Sequence, residues 1–198
     1  MSGTADAATL AVYDRDAPAY AEWSAAASPR TALRVFLARM PEGGAALDLG
    51  CGAGWAAAEM IAAGLRVRAV DGSAGLVAEA RARGVPAEVA RFEEIEERDA
   101  YDGVWASFSL LHAPREAMPD ILARLRRALR PGGTLHLGLK EGEGERRDAL
   151  GRRYVYWSEA SLTEALTAAG FGAPVITRET ATGWDGAEEG MMDVFVDG

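Results

Sequence analysis

The 198-residue chain holds one cysteine, Cys51, two histidines and, among 21 basic residues, the single lysine Lys140. One thiol cannot build an intramolecular disulfide framework or a cysteine-based metal site. No apolar run approaches the ~20 residues that a helix needs to cross a membrane. Met1–Leu10 has no basic start followed by a long apolar stretch. No secretory leader is expected there, and the chain reads as soluble and cytoplasmic. The 21 basic residues face 30 acidic ones, a formal net charge of −9. That balance argues against a nucleic-acid surface, which needs clustered Lys and Arg.

What is present is a globular composition, 49% hydrophobic and 26% charged, of a length that one domain accounts for. Two N-terminal helices are expected. Asp16 caps the first, which carries Tyr20 and Trp23; Ser28-Pro29 opens the second, whose Leu33, Phe36, Leu37 and Met40 follow helical spacing. Pro41, Gly43 and Gly44 stop it. Strands and helices then alternate: strand Ala45–Leu49, helix Trp55–Ala63, strand Leu65–Val70, helix Ser73–Arg83, weak strand Ala87–Ala90. Strand Gly103–Ser107, helix Glu116–Leu129, strand Thr134–Leu139 and a helix capped by Ser158 complete the alternation. Val175–Thr180 and Met191–Val196 have no helix between them and form an antiparallel hairpin. The pattern predicts an α/β fold, a mostly parallel sheet with helices on both faces. Ligands in such folds sit beyond the carboxyl ends of the strands.

Directly after the first strand comes Asp48-Leu49-Gly50-Cys51-Gly52-Ala53-Gly54-Trp55. Three alternate glycines let the backbone turn tightly and approach a ligand, and the next helix offers free N–H groups. A P-loop is excluded because Trp55 and no lysine follows. A dinucleotide fingerprint would place its third glycine at Trp55, and an acid beside the loop suits a cation better than a pyrophosphate.

Leu47 to Gly54 resembles motif I of class I S-adenosylmethionine-dependent methyltransferases. The resemblance implies a Rossmann-like seven-stranded sheet, order 3-2-1-4-5-7-6 with the last strand antiparallel, forming a single domain. Within it, 1–43 would be a helical cap and 44–198 the core, with a lid at about 140–158. It implies S-adenosylmethionine as cofactor and S-adenosylhomocysteine as product. Asp48, Gly50, Cys51, Gly52 and Gly54 would wrap the amino-acid end. Asp71, 17 residues after Gly54, would accept both ribose hydroxyls, with Gly72 and Ser73 lining the site. Arg91 and Phe92 would flank the adenine, where the family often has an acid. Ala106 and Ser107 would run past the methyl, and Leu111 and His112 would face the substrate. His112 is the candidate general base, whereas His136, inside a strand, is read as structural.

The segments expected to cover the acceptor are the N-terminal helix with Tyr13 and Tyr20, and the charged stretch Lys140–Arg147 followed by Arg152, Tyr154, Tyr156 and Trp157. The Gly-Glu-Gly-Glu and Tyr-x-Tyr-Trp-Ser segments resemble bacterial tellurite-resistance (TehB)-related proteins; the chain is also similar to UbiE-like methyltransferases. Aromatic rings attract a sulfonium, and arginines orient anionic acceptors. The expected function is methyl transfer to a small-molecule acceptor by a monomer or homodimer, with no metal. The alternatives are a non-catalytic S-adenosylmethionine-binding module and a nicotinamide-dependent oxidoreductase.

Overall fold

The computed structural model describes residues 6–27 and 30–198. Three helices lead: α1 (Ala7–Arg15), α2 (Ala17–Ala27) and α3 (Arg30–Arg39). The sequence reading expected two. It missed α1, which Asp6 caps by accepting the Thr9 N–H at 2.9 Å. Asp16 does not act as a side-chain cap for α2. It marks the break between α1 and α2, and its carboxylate is held by Arg15. The expected Ser28-Pro29 cap lies outside the described residues.

The core follows as β1 (Ala45–Leu49), α4 (Trp55–Ala62), β2 (Arg66–Asp71), α5 (Ala74–Ala82), β3 (Ala87–Val89) and β4 (Tyr101–Ser107). Then come α6 (Met118–Ala128), β5 (Leu129–Lys140), a short antiparallel hairpin of β6 (Glu145–Arg147) and β7 (Arg153–Val155), α7 (Glu159–Ala168), β8 (Val175–Thr182) and β9 (Glu188–Asp197). The main sheet runs β3-β2-β1-β4-β5-β9-β8, with β9 antiparallel to both neighbours. This is the expected Rossmann-like order once the small hairpin is set aside. The sequence predicts a charged loop where this hairpin lies, because Glu145-Arg146-Arg147 has no apolar face; its three residues are all exposed.

The two faces of the sheet differ. Leu47 and Leu49 alternate toward α6 and α7, packing with Leu122, Leu125, Leu162 and Leu166. Ala46 turns toward α3 and α4, with Phe36, Met60 and Trp105. His136 is buried against Trp105 on this second side, 3.9 Å between centroids, and bonds Asp193 at 2.9 Å. It is a packing residue, as expected. This side is so closely packed that a Cβ on Gly103 would meet Phe36 and Met40 at 2.7 and 2.5 Å.

Register places the site. Leu49 pairs with Val70 and Asp48 with Trp105. One step on, Gly50 is level with Asp71, and two steps beyond Asp48 it is level with Ser107. Three strand ends therefore deliver a turn, a carboxylate and a hydroxyl to one row.

Candidate functional site

Two cavities open above this row. The first, about 690 Å³, is lined by Gly50, Gly52, Asp71, Gly72, Arg91, Phe92 and Ser107, and is roofed by Thr9, Leu10 and Tyr13 of α1. The second, about 810 Å³, is lined by Trp23, Trp55, Leu111, Lys140, Arg152, Tyr154 and Trp184, among others. Tyr13, Tyr20, Ser107, Phe108 and His112 line both, so the two cavities share a wall.

The glycine turn works by backbone geometry. Gly50 has φ +80°, and a Cβ there would lie 2.2 Å from the Ser109 Cβ. Only glycine fits both demands. Asp71 clamps the turn: Oδ2 accepts the Gly52 N–H and Oδ1 the Ser73 N–H, each at 2.8 Å. Two carboxylate oxygens carry about four acceptor positions, so each retains one for a ligand. Burial holds the Asp71 carboxyl above its usual range, partly offset by those two amides.

Several expected cofactor residues lie behind the cavity instead of in its wall. Asp48 sits on the α4 side of β1, under the turn. Burial, with Asp71 nearby, raises its carboxyl to about 8 against one helping amide from Ala57, and Oδ2 has no partner among the described residues. Alternation along β1 decides this, because Leu49 points to the opposite face. Cys51 packs with Ala57 and Val77, its thiol pushed up by burial. Gly54 gives α5 room, since a Cβ would meet Ala80 and Val85 at 3.0 Å. Ser73 caps α5 through Leu76 N–H and donates to Asp14 Oδ1 at 2.6 Å. Ala106 is in the core. Tyr156 and Trp157 also face away from the cavities: Tyr156 donates to Glu189 under Arg146, and Trp157 lies beneath Arg115.

The shared wall contains a connected polar chain. His112 Nδ1 is 2.6 Å from the Arg153 carbonyl, which can only accept, so Nδ1 carries the proton. Nε2 therefore accepts from Tyr13 Oη at 3.0 Å, and that oxygen accepts from Arg152 Nη1 at 3.1 Å. Arg152, 2% exposed, is paired with Asp148 at 2.6 Å. Burial lowers His112 to about 4, with Arg152 and Lys140 adding to the effect, so the imidazole is neutral near pH 7. Phe108, beside it, has φ +54°, an unusual backbone for a bulky residue.

Helix α1 is tied down along its length. Asp6 accepts two 2.8 Å bonds from Arg147, and Thr9 Oγ1 accepts the Arg153 N–H at 2.9 Å. Asp14 accepts the Gly75 N–H at 2.9 Å. The Asp6-x-x-Thr9 cap was the sequence signal that would have found this helix and its cavity residues Thr9 and Leu10. Trp184 had no local signal: it sits in a polar loop and reaches the site only because β8 and β9 bring it to Tyr20, 5.1 Å between centroids.

Residues 46–133 match a family described as a methyltransferase domain. No curated protein matches the chain. Among solved structures, the Burkholderia thailandensis 1,6-didemethyltoxoflavin-N1-methyltransferase is similar: 25% identity over 94% of this chain and 87% of that one, TM-score 0.72. That structure holds 1,6-didemethyltoxoflavin and S-adenosylhomocysteine. DhpI, in complex with S-adenosylhomocysteine, is 26% identical over 96% of this chain and 94% of that one, TM-score 0.68. A Haloferax volcanii complex between the Trm112 methyltransferase activator and a methyltransferase shares the fold, with 22% identity over 96% of each chain and TM-score 0.74. The fold is that of the S-adenosylmethionine-dependent methyltransferases. Among the described residues no helix is long and apolar enough to cross a membrane.

Proposed function

We propose that the chain transfers a methyl group from S-adenosylmethionine to a small-molecule acceptor in the cytoplasm, as a monomer or homodimer. The observation that carries this reading is the shared wall: a glycine-turn cavity and an aromatic cavity meet at Tyr13, Tyr20, Ser107, Phe108 and His112. The residues fit the cofactor. Gly50 and Gly52 leave a cradle without side chains, Asp71 keeps two free acceptor positions, and Ser107 lines both cavities with its Oγ buried and without a partner among the described residues.

S-adenosylmethionine supplies a methyl already activated on a sulfonium. The protein binds, aligns and excludes water. Asp71 would take the ribose hydroxyls, Phe92 would pack on the adenine beside Arg91, and the side-chain-free turn at Gly50 and Gly52 would receive the amino-acid end. Leu10 and Tyr13 close α1 over the ligand. Tyr13 Oη, fixed between His112 Nε2 and Arg152 Nη1, orients the acceptor at the wall. The TehB-like and UbiE-like resemblance names no acceptor, and of its Tyr-x-Tyr-Trp segment only Tyr154 lines a cavity. Calorimetric titration with S-adenosylhomocysteine tests the reading; binding is expected, and none at millimolar ligand overturns it. Release of S-adenosylhomocysteine in an acceptor screen separates the enzyme from a non-catalytic binding module.

A further inference from the structure

We propose that the acceptor is a flat aromatic or heteroaromatic molecule with an acidic O–H or N–H group, held as its conjugate base by Arg152 and Lys140. This rests on the methyltransferase reading above and names the chemistry of its second cavity. The walls are rings: Tyr13, Tyr20, Trp23, Trp55, Tyr154 and Trp184. Such walls gain most from a flat π-system. Two buried cations also line this cavity, Arg152 at 2% and Lys140 at 4% exposure. Both groups only donate hydrogen bonds, so a ligand atom meeting them must bring lone pairs.

A cationic acceptor is disfavoured by the same geometry. Three of the six rings already carry a cation: Lys140 Nζ is 3.7 Å from the Tyr154 centroid, and the Arg152 guanidinium lies 5.1–5.4 Å from Trp184, Tyr154 and Tyr13. Asp148 and Glu189 balance the two cations when no ligand is bound. Neither cation is saturated by what it touches. Arg152 Nε, Nη1 and Nη2 engage Asp148 and Tyr13, leaving part of a five-donor fork free. Lys140 has one carboxylate partner for three donors.

Arg152 Nη1 reaches Tyr13 Oη, so the conjugate base lies beside the wall shared with the cofactor. The acidic proton leaves to solvent on binding. The oxygen or nitrogen lone pair then forms the bond to the methyl carbon while the carbon–sulfur bond breaks, its electron pair remaining on a neutral thioether. Glu179 also lines this cavity, from exposed strand β8, and suits a donor group on the far side of the ring.

The test is a calorimetric series on the full chain saturated with S-adenosylhomocysteine. The probes are 4-nitrophenol, nitrobenzene and benzyltrimethylammonium at pH 8, where the phenol is ionised. The nitrophenolate is expected to bind at least ~10-fold tighter than the other two, the scale of a charge-assisted hydrogen bond. Arg152→Met is expected to erase that preference. Trp184→Leu is expected to weaken all three without changing their order. Because Arg152→Met leaves Asp148 buried without its cation, the wild-type series and Trp184→Leu carry the test if that variant does not fold. Benzyltrimethylammonium binding as tightly as the phenolate, or no arene binding at millimolar concentration, overturns the proposal. Failure of S-adenosylhomocysteine itself to bind overturns the methyltransferase reading instead.

Discussion

Gly50, Asp71 and Ser107 stand side by side on adjacent strand ends, whereas Tyr13, Trp23, Trp55, Arg152 and Trp184 come from five segments that meet only in the folded chain. The first group forms its cavity with backbone: positive φ, a turn without side chains and one clamping carboxylate. The second forms its cavity with side chains held by one another, ring against ring and cation over ring. The contrast separates two kinds of determinant. Backbone geometry demands one residue type at one place, and side-chain cages tolerate several sequences that fill the same space.

The comparison breaks first at Gly50. Gly50→Ala places a Cβ 2.2 Å from Ser109 on a left-handed residue. A stability loss of about 3 kcal/mol is expected in denaturant titration, with S-adenosylhomocysteine binding abolished. Gly52→Ala, whose nearest neighbour is Tyr20 at 3.7 Å, is expected to be milder. Equal effects would refute the geometric account of the turn.

Acidification probes the shared wall. His112 titrates near 6.5 when unfolded and about 4 when folded. Between these values the unfolded chain binds the extra proton, so stability falls as pH drops through that window, by about 3 kcal/mol for this group. Unfolding of wild type against His112→Gln across pH 4–6.5 isolates that slope. A matching slope in both would remove His112 as its source. The same shift predicts no limb near pH 6.5 in the methyl-transfer profile.

Asp71→Ala is expected to weaken S-adenosylhomocysteine at least ~10-fold, as for losing a charged acceptor of two hydroxyls, while acceptor KM holds. Trp23→Ala sharpens the contrast from the other side. Trp23 lines only the aromatic cavity, so acceptor KM is expected to rise about 5-fold, ~1 kcal/mol, with cofactor affinity unchanged. The smallest effect belongs to Arg147→Ala, which leaves the Asp6 cap in place. It removes the Arg147 tether of α1, a partly exposed pair worth about 0.5–1 kcal/mol. Stopped-flow release of S-adenosylhomocysteine is expected to quicken about 2–5-fold, a factor of that energy.

The same distinction explains what was legible. The strand–helix order could be read from periodicity, and the turn from its glycines, because few sequences meet those backbone demands. Phe92, Arg91, Gly72 and Asp71 follow from the strand ends. The motif resemblance puts Asp48, Ser73 and Ala106 in the cofactor wall, yet alternation and capping turn them away. Helix α1 was missed because its only signal was a cap four residues before Leu10, and Trp184 because nothing local distinguishes a cage ring from a loop tryptophan. Tyr156 and Trp157 show the reverse error: adjacent aromatics suggested a lid, but cation stacking with Arg146 and Arg115 holds them outside it.

The most direct test of the two-cavity account is a crystal structure with S-adenosylhomocysteine bound. The account predicts the homocysteine end over Gly50 and Gly52, the ribose on Asp71, the adenine against Phe92, and the sulfur at the wall formed by Ser107, Phe108 and Tyr13, facing Trp184. A ligand seated in the aromatic cavity, or a sulfur turned away from that wall, contradicts it.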